Sequence, residues 1–138
     1  MNILFYLLPK AQVEYVYDDY TIRQALEKME YHHYSTIPVI SRSGKYVGSL
    51  SEGDILWEIK RLGLNLDSCE KHPISSIPPH KKIAPISADK EMSDLVDIII
   101  NQNFVPVVDD LNNFIGIITR KSVINYLTNE LNKTNKKF

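Results

Sequence analysis

Two stretches of this chain are copies of one another, and that duplication decides most of what it can fold into. With a shift of 68 residues, TIPVISRSGKYVGSLSEGDIL (Thr36 to Leu56) lies over FVPVVDDLNNFIGIITRKSVI (Phe104 to Ile124) without a gap, pairing Pro38 with Pro106 and Gly48 with Gly116. Upstream the shift is 70, so VEYVYDDYTIRQALEKM (Val13 to Met29) falls over IAPISADKEMSDLVDII (Ile83 to Ile99). The first copy therefore carries two extra residues near the run YHHY, Tyr31 to Tyr34. The leaders follow the same shift, with Leu4, Leu7 and Pro9 over Ile74, Ile77 and Pro79.

Each copy reads as strand, helix, strand, strand, helix. A short strand (Val13 to Tyr17; Ile83 to Ser87) leads into a helix whose apolar residues Ile22, Ala25, Leu26 and Met29 recur at helical spacing. Met92, Leu95, Val96 and Ile99 repeat that stripe. Asp18-Asp19 reads as the turn and cap ahead of the first helix. A strand pair follows, joined by a turn at Ser43-Gly44 or Asn112-Asn113. The last helix starts at Ser51 or Thr119, whose hydroxyls can accept from an otherwise orphaned amide. The expected class is α+β: two βαββα repeats, each too small to hide its sheet alone, packed with pseudo-two-fold symmetry. The boundaries are 1–60 for the first repeat with its leader, 61–71 for a linker, 72–128 for the second repeat and 129–138 for a polar, solvated tail. Cys69 and His72 fall at the linker and read as surface residues.

At 138 residues, 43% hydrophobic and 24% charged, the chain is typical of soluble globular proteins. A net charge of -1 without a basic stripe argues against a nucleic-acid binder. One cysteine leaves no internal disulfide and fits a reducing compartment, the cytoplasm. The opening MNILFYLLPK lacks a basic leader and is too short an apolar run for a span, so it reads as a turn of helix and no membrane is expected. There is no nucleophile elbow, phosphate loop or pair of acids at catalytic spacing, so the chain is not expected to be an enzyme. His32-His33 has no acid or cysteine spaced to complete a metal site.

The residues of GSLSEGD (Gly48 to Asp54) have a chemistry of their own. Gly48 lets a ligand or a neighbouring backbone come close, Ser51 caps a helix whose amides favour phosphate, and Asp54 can accept from ribose hydroxyls. An acid in a first helical turn also stabilises the helix with no ligand present. The second copy has Ser122 in place of the acid, and offers Thr119-Arg120-Lys121 instead: a hydroxyl, orphan amides and two cations suited to phosphate, or a solvated helix start.

The motifs STIPVIS and FVPVVD, the pairs GKYVG and NNFIG, and the helix starts SEGDIL and TRKSVI resemble the CBS domain, in a tandem pair of the kind called a Bateman module. The resemblance spans about residues 2 to 128. It implies a stand-alone regulatory sensor that needs no cofactor, binds an adenine nucleotide (AMP, ADP or ATP) in a cleft between the repeats, and relays it by conformational change to an unknown partner protein. It also implies a homodimer, with the helix bearing Trp57 at the interface. The ligand set it implies is Ser51 and Asp54 on phosphate and ribose, the backbone of Tyr34, Ser35, Thr36, Ile37 and Pro38 on the adenine edge, and Val13 and Tyr15 as a wall beside it. Gly48 gives room, and for the phosphate Thr119 supplies a hydroxyl and Arg120 and Lys121 positive charge. YSTIPV with NQNFVPVVDD and GIITRKSVI is similar to small bacterial CBS proteins that bind cyclic di-AMP. A cyclic di-AMP receptor and a ligand-free dimerisation scaffold are the alternatives.

Overall fold

The computed structural model describes residues 1–78 and 82–135, which form two compact units. One comprises Glu14–Ile83, the other Met1–Val13 with Ala84–Phe138. Pro79 and tail residues 136–138 lie outside the described residues.

In unit 14–83, β2 (Val16–Tyr17) runs parallel to β3 (Thr36–Ile40), which pairs antiparallel with β4 (Tyr46–Ser51), giving the order β2-β3-β4. The helix α1 (Ile22–His32) precedes β3, and α2 (Glu52–Leu62) and the short α3 (Leu66–Cys69) follow β4. Ile22, Ala25 and Met29 of α1 pack with Val16, Ile37, Val39, Leu50 and Ile55 in one core. The strand ahead of α1 is shorter than the sequence implies, and Val13 instead ends a 3-10 turn over Lys10–Gln12. The cap of α1 is Thr21, in a capping box with Gln24, and not Asp18-Asp19. Asp19 faces outward, where Arg42 donates to both its oxygens at 2.8 and 3.0 Å and lies 3.9 Å from the Tyr17 ring centroid. That guanidinium holds the Asp19 carboxyl below its usual range. The Thr21-x-x-Gln24 spacing was a readable signal for the cap.

In the other unit, β1 (Leu8–Pro9), β5 (Ile86–Ser87), β6 (Phe104–Val108) and β7 (Phe114–Thr119) form a sheet in the order β1-β7-β6-β5. The helices are α4 (Val96–Ile99) and α5 (Arg120–Asn135). The β-bulge recurs at equivalent places, between Val39 and Ile40 and between Val107 and Val108. Both turns need the left-handed region, supplied by Gly44 (φ 87°) and Asn112 (φ 64°). Where the first copy has one helix of 11 residues, the second has a 3-10 turn over Met92–Leu95 followed by the four residues of α4. The first copy's RQALEKME is rich in helix formers, whereas Ser93, Asp94 and the run Ile98-Ile99-Ile100 are weaker ones. Residues 129–135, expected as tail, continue α5 as an exposed helix.

The leaders are exchanged. Ile3 donates its amide to Lys90 and is fully buried with Met92 and Leu95, while Ile74 donates to Tyr20 and packs with Ile22. The Met1 carbonyl likewise accepts from Met92, and that of His72 from Ile22. Each leader thus closes the helix start of the copy it does not adjoin in sequence. These bonds match Ile3 with Ile74, a shift of 71, so the expected pairing of Leu4 with Ile74 is off by one residue. Leu4 is exposed. Neighbouring apolar residues at 3 and 4 made both registers plausible from sequence, and the backbone bonds decide between them.

The expected linker is ordered structure. Gly63 ends α2 in the left-handed conformation (φ 64°) and Asn65 caps α3. Cys69 is buried in the core with Ile22, a correction to its reading as a surface residue. His72 is also held: its Nε2 lies 3.2 Å from Oε2 of Glu58, a carboxylate only 2% exposed that accepts two bonds from Arg61 at 3.1 and 2.6 Å.

Candidate functional site

The first helix start is closed on itself. Ser51 Oγ accepts from the Asp54 amide at 3.0 Å, and Asp54 Oδ2 accepts from the Ser51 amide at 2.9 Å. Asp54 is 5% exposed. This reciprocal pair satisfies two orphan donors of α2, which is the helix-stabilising use of the acid.

Among the described residues β2 pairs with Val39 and Ile40, so Thr36, Ile37 and Pro38 run past the end of their parallel neighbour. A proline is tolerated there because no ladder donor is needed on that side. On their other side these residues pair with Ser51, Leu50 and Ser49 of β4. The Ser35 carbonyl accepts from the Glu52 amide at 2.9 Å, tying this stretch to the start of α2. Ile37 is buried in the core.

Around this junction lies a cleft of about 490 Å³ within unit 14–83, floored by Leu26, Met29 and Tyr34 with Ser35 and bordered by Glu30, His33 and Glu52. Tyr34 and Ser35 of the expected site line it, while Ser51 and Asp54 do not. Glu30, His33 and Glu52 were not singled out from sequence. The signal was present, since Glu52 falls over Arg120 in the alignment of the copies, a reversal of charge at one position of the repeat.

Tyr15 stands apart from that cleft's lining. Its carbonyl accepts from Lys28 Nζ at 2.6 Å and its ring meets Tyr17 edge to face at 5.7 Å between centroids. Burial, with the neighbouring Tyr17 hydroxyl, pushes its phenol pKa up. Val13 is buried and belongs to the other compact unit. On β4, the Tyr46 hydroxyl meets Ser49 Oγ and the Ile83 carbonyl at 2.8 Å each, and burial pushes its pKa up to about 12.

Gly48 and Gly116, matched in sequence, differ in surroundings. A Cβ on Gly48 would meet nothing within 4 Å, whereas one on Gly116 would lie 2.2 Å from the Leu8 carbonyl oxygen, at φ 154°. The close backbone approach expected at Gly48 occurs at Gly116, where β1 joins β7.

The second helix start keeps the cap without the acid. Thr119 Oγ1 accepts from the Ser122 amide at 3.1 Å and donates to Ser122 Oγ at 3.0 Å. Arg120 donates its amide to Asn103 and its Nε to the Ile99 carbonyl at 3.2 Å, so its side chain turns back onto the end of α4. Lys121 is exposed. The three residues of the expected phosphate site therefore share one turn, with one cation on the protein and the other in solvent. Among the described residues no group of three or more His, Cys, Asp or Glu side chains could hold a metal, and no helix is long and apolar enough to cross a membrane.

Comparison with known proteins places this arrangement. The CBS domain family model matches residues 8–61 and 74–129. The crystal structure of CbpB in complex with c-di-AMP is similar at 26% identity and a TM-score of 0.87, over 100% of this chain and 91% of that one. CbpB from Streptococcus agalactiae is 27% identical with a TM-score of 0.82, over 96% and 84% of the two chains. An uncharacterised protein of Methanocaldococcus jannaschii, MJ1426, is 26% identical over 141 residues, covering 81% of this chain and 84% of that protein. With both copies matched and the mixed helix-and-sheet units described above, the chain belongs to the CBS domain family and carries the domain twice in tandem.

Proposed function

We propose that this chain is a regulatory module, not a catalyst, that binds an adenine nucleotide and relays its presence to a partner protein from the cytoplasm. The ligand we favour is cyclic di-AMP. The observation that carries this reading is the likeness, over the whole chain, to CbpB bound to c-di-AMP. The two helix starts support it. Asp54 already spends one carboxylate oxygen on its own helix, so a ribose would have to share it. Thr119, the first amides of α5 and Lys121 offer phosphate a hydroxyl, a helix dipole and an open cation. The stretch Thr36–Pro38, which runs beyond the end of β2, would with Tyr34 and Ser35 read an adenine edge. A mononucleotide such as AMP, ADP or ATP is the second reading, favoured by the Ser51 and Asp54 pair that it would grip.

Two copies would associate through the exposed apolar side chains Leu56 and Trp57 of α2, and the bound nucleotide would favour one conformation by its differential affinity. The test is thermal unfolding of the chain with cyclic di-AMP, AMP, ADP and ATP. A ligand at about 100 times its Kd adds about 2.7 kcal/mol. A shift with cyclic di-AMP that Lys121→Ala removes upholds the favoured reading. A shift with a mononucleotide that Asp54→Ala removes upholds the second, and no shift with any of the four leaves the scaffold.

A further inference from the structure

The cleft in unit 14–83 carries a charge that bears on which nucleotide it admits. Its floor of Leu26, Met29 and Tyr34 suits a flat, uncharged base, but its border holds two exposed carboxylates, Glu30 and Glu52. Among the described residues neither side chain has an ion pair, and no lysine or arginine lines the cleft. Glu52 is held at the floor, because its amide donates to the Ser35 carbonyl at 2.9 Å. Glu30 lies in the last turn of α1, whose cap His33 also borders the cleft, and that end of a helix dipole is negative. What would attract phosphate here is the N-terminus of α2, with about half a unit of positive charge. Glu52 and Asp54 both stand in its first turn and outweigh it. The start of α5 is the reverse, with Arg120-Lys121 at its head and no acid in its first turn.

We infer that Glu30 and Glu52 are specificity-determining residues of the nucleotide site: the cleft receives an adenine base with its sugar and rejects ligands in proportion to the phosphate charge they bring with it. Selection by a repulsive element of this kind needs no new contact to the favoured ligand. The inference rests on the nucleotide binding proposed above and adds an order of preference to it. Cyclic di-AMP, whose phosphates are both diesters, and AMP come ahead of ADP and ATP, whose terminal phosphates add charge at each step. At about 0.1 M salt a carboxylate is felt over about 10 Å, so the rule acts on phosphates held near the base and not on charge elsewhere on the chain.

The test is titration calorimetry of the full chain with cyclic di-AMP, AMP, ADP and ATP, for wild type and for Glu30→Gln with Glu52→Gln. A control, Asp67→Asn with Asp110→Asn, removes the same charge from two exposed residues that do not line the cleft. Wild type is expected to bind ADP and ATP each about threefold more weakly than the nucleotide one phosphate shorter. In the cleft variant ATP is expected to tighten about tenfold and cyclic di-AMP less than about threefold, and the control should leave their ratio as in wild type. Glutamine keeps the shape of both side chains, and ligand-free thermal unfolding checks that the variants fold alike. Cyclic di-AMP or AMP bound with an ATP ratio that the cleft variant leaves unchanged, or that the control moves as far, overturns the inference and leaves nucleotide binding standing. No binding of any of the four, to wild type or to the cleft variant, overturns the proposed function and this inference together.

Discussion

Ser51 and Asp54 bind each other across the first turn of α2, hydroxyl to amide at 3.0 Å and amide to carboxylate at 2.9 Å. The pair answers for two donors that the helix would otherwise leave unpaired, so both residues matter before any ligand arrives. Ser51→Ala and Asp54→Ala are each expected to cost about 1 kcal/mol in urea unfolding of the ligand-free protein. Because the two bonds form one device, the double variant should cost less than the sum. If Asp54→Ala leaves ligand-free stability untouched, the box is not a source of stability.

Gly48 and Gly116 give opposite expectations for one substitution. Gly116→Ala would drive a methyl group into the Leu8 carbonyl and is expected to cost about 2 kcal/mol or more, or to release β1 from β7. Gly48→Ala meets open space and should change stability by less than about 1 kcal/mol. Thermal unfolding of the two variants checks this. Gly48→Ala also serves the proposed function, since a loss of nucleotide binding at unchanged stability would place the ligand against that strand.

Glu58 sets an acid limit on unit 14–83. Desolvation pushes its carboxyl upward, but hydrogen bonds from Arg61 and His72 outweigh that, and the net shift is down from 4.5. A depressed carboxyl contributes stability that is present above its unfolded value and is lost as the pH falls through the folded one. Urea unfolding is therefore expected to show stability from Glu58 intact at neutral pH and declining below about pH 4.5, with Glu58→Gln flattening that part of the curve. His72→Ala, which removes one of the two partners, is expected to cost about 1–3 kcal/mol at pH 7.

The exchanged leaders can be located by where damage appears. Ile3→Ala removes a fully buried side chain from the core of Met92, Leu95 and Val105, with an expected cost of about 2–5 kcal/mol. Hydrogen exchange should show the loss in amides of 84–135, not in the residues that follow Ile3 along the chain. Ile74→Ala should show its loss in 14–62. Loss confined to the flanking sequence in either variant would contradict the exchange.

What the sequence made legible is what depends on neighbours along the chain. The duplication, the strand pairs, the positive-φ turns and the hydroxyl caps at Ser51 and Thr119 all follow from spacings of a few residues, and the structure carries each of them. Thr21 and Gln24 are an equally local signal, which the neighbouring turn formers Asp18-Asp19 obscure. The exchange of leaders was not legible, because Ile3 meets Met92 across more than a repeat and Ile74 meets Ile22 across most of one, and either apolar segment could have covered either copy. Burial of Cys69 and of Glu58 depends on that same long-range packing. At the candidate site, residue types announced a phosphate-and-sugar chemistry, but not that Asp54 is closed into its own helix or that Arg120 turns onto α4.

The crossed leaders also impose an order of assembly on a chain made from the N-terminal side onward. Unit 14–83 has all its parts once Ile83 has emerged, whereas residues 1–13 have no place to dock until the second sheet is made. Ile3 and its apolar neighbours remain uncovered through that interval. A segment made ahead of both repeats is thus secured only by the later one, and its apolar surface depends through the interval on not finding another chain.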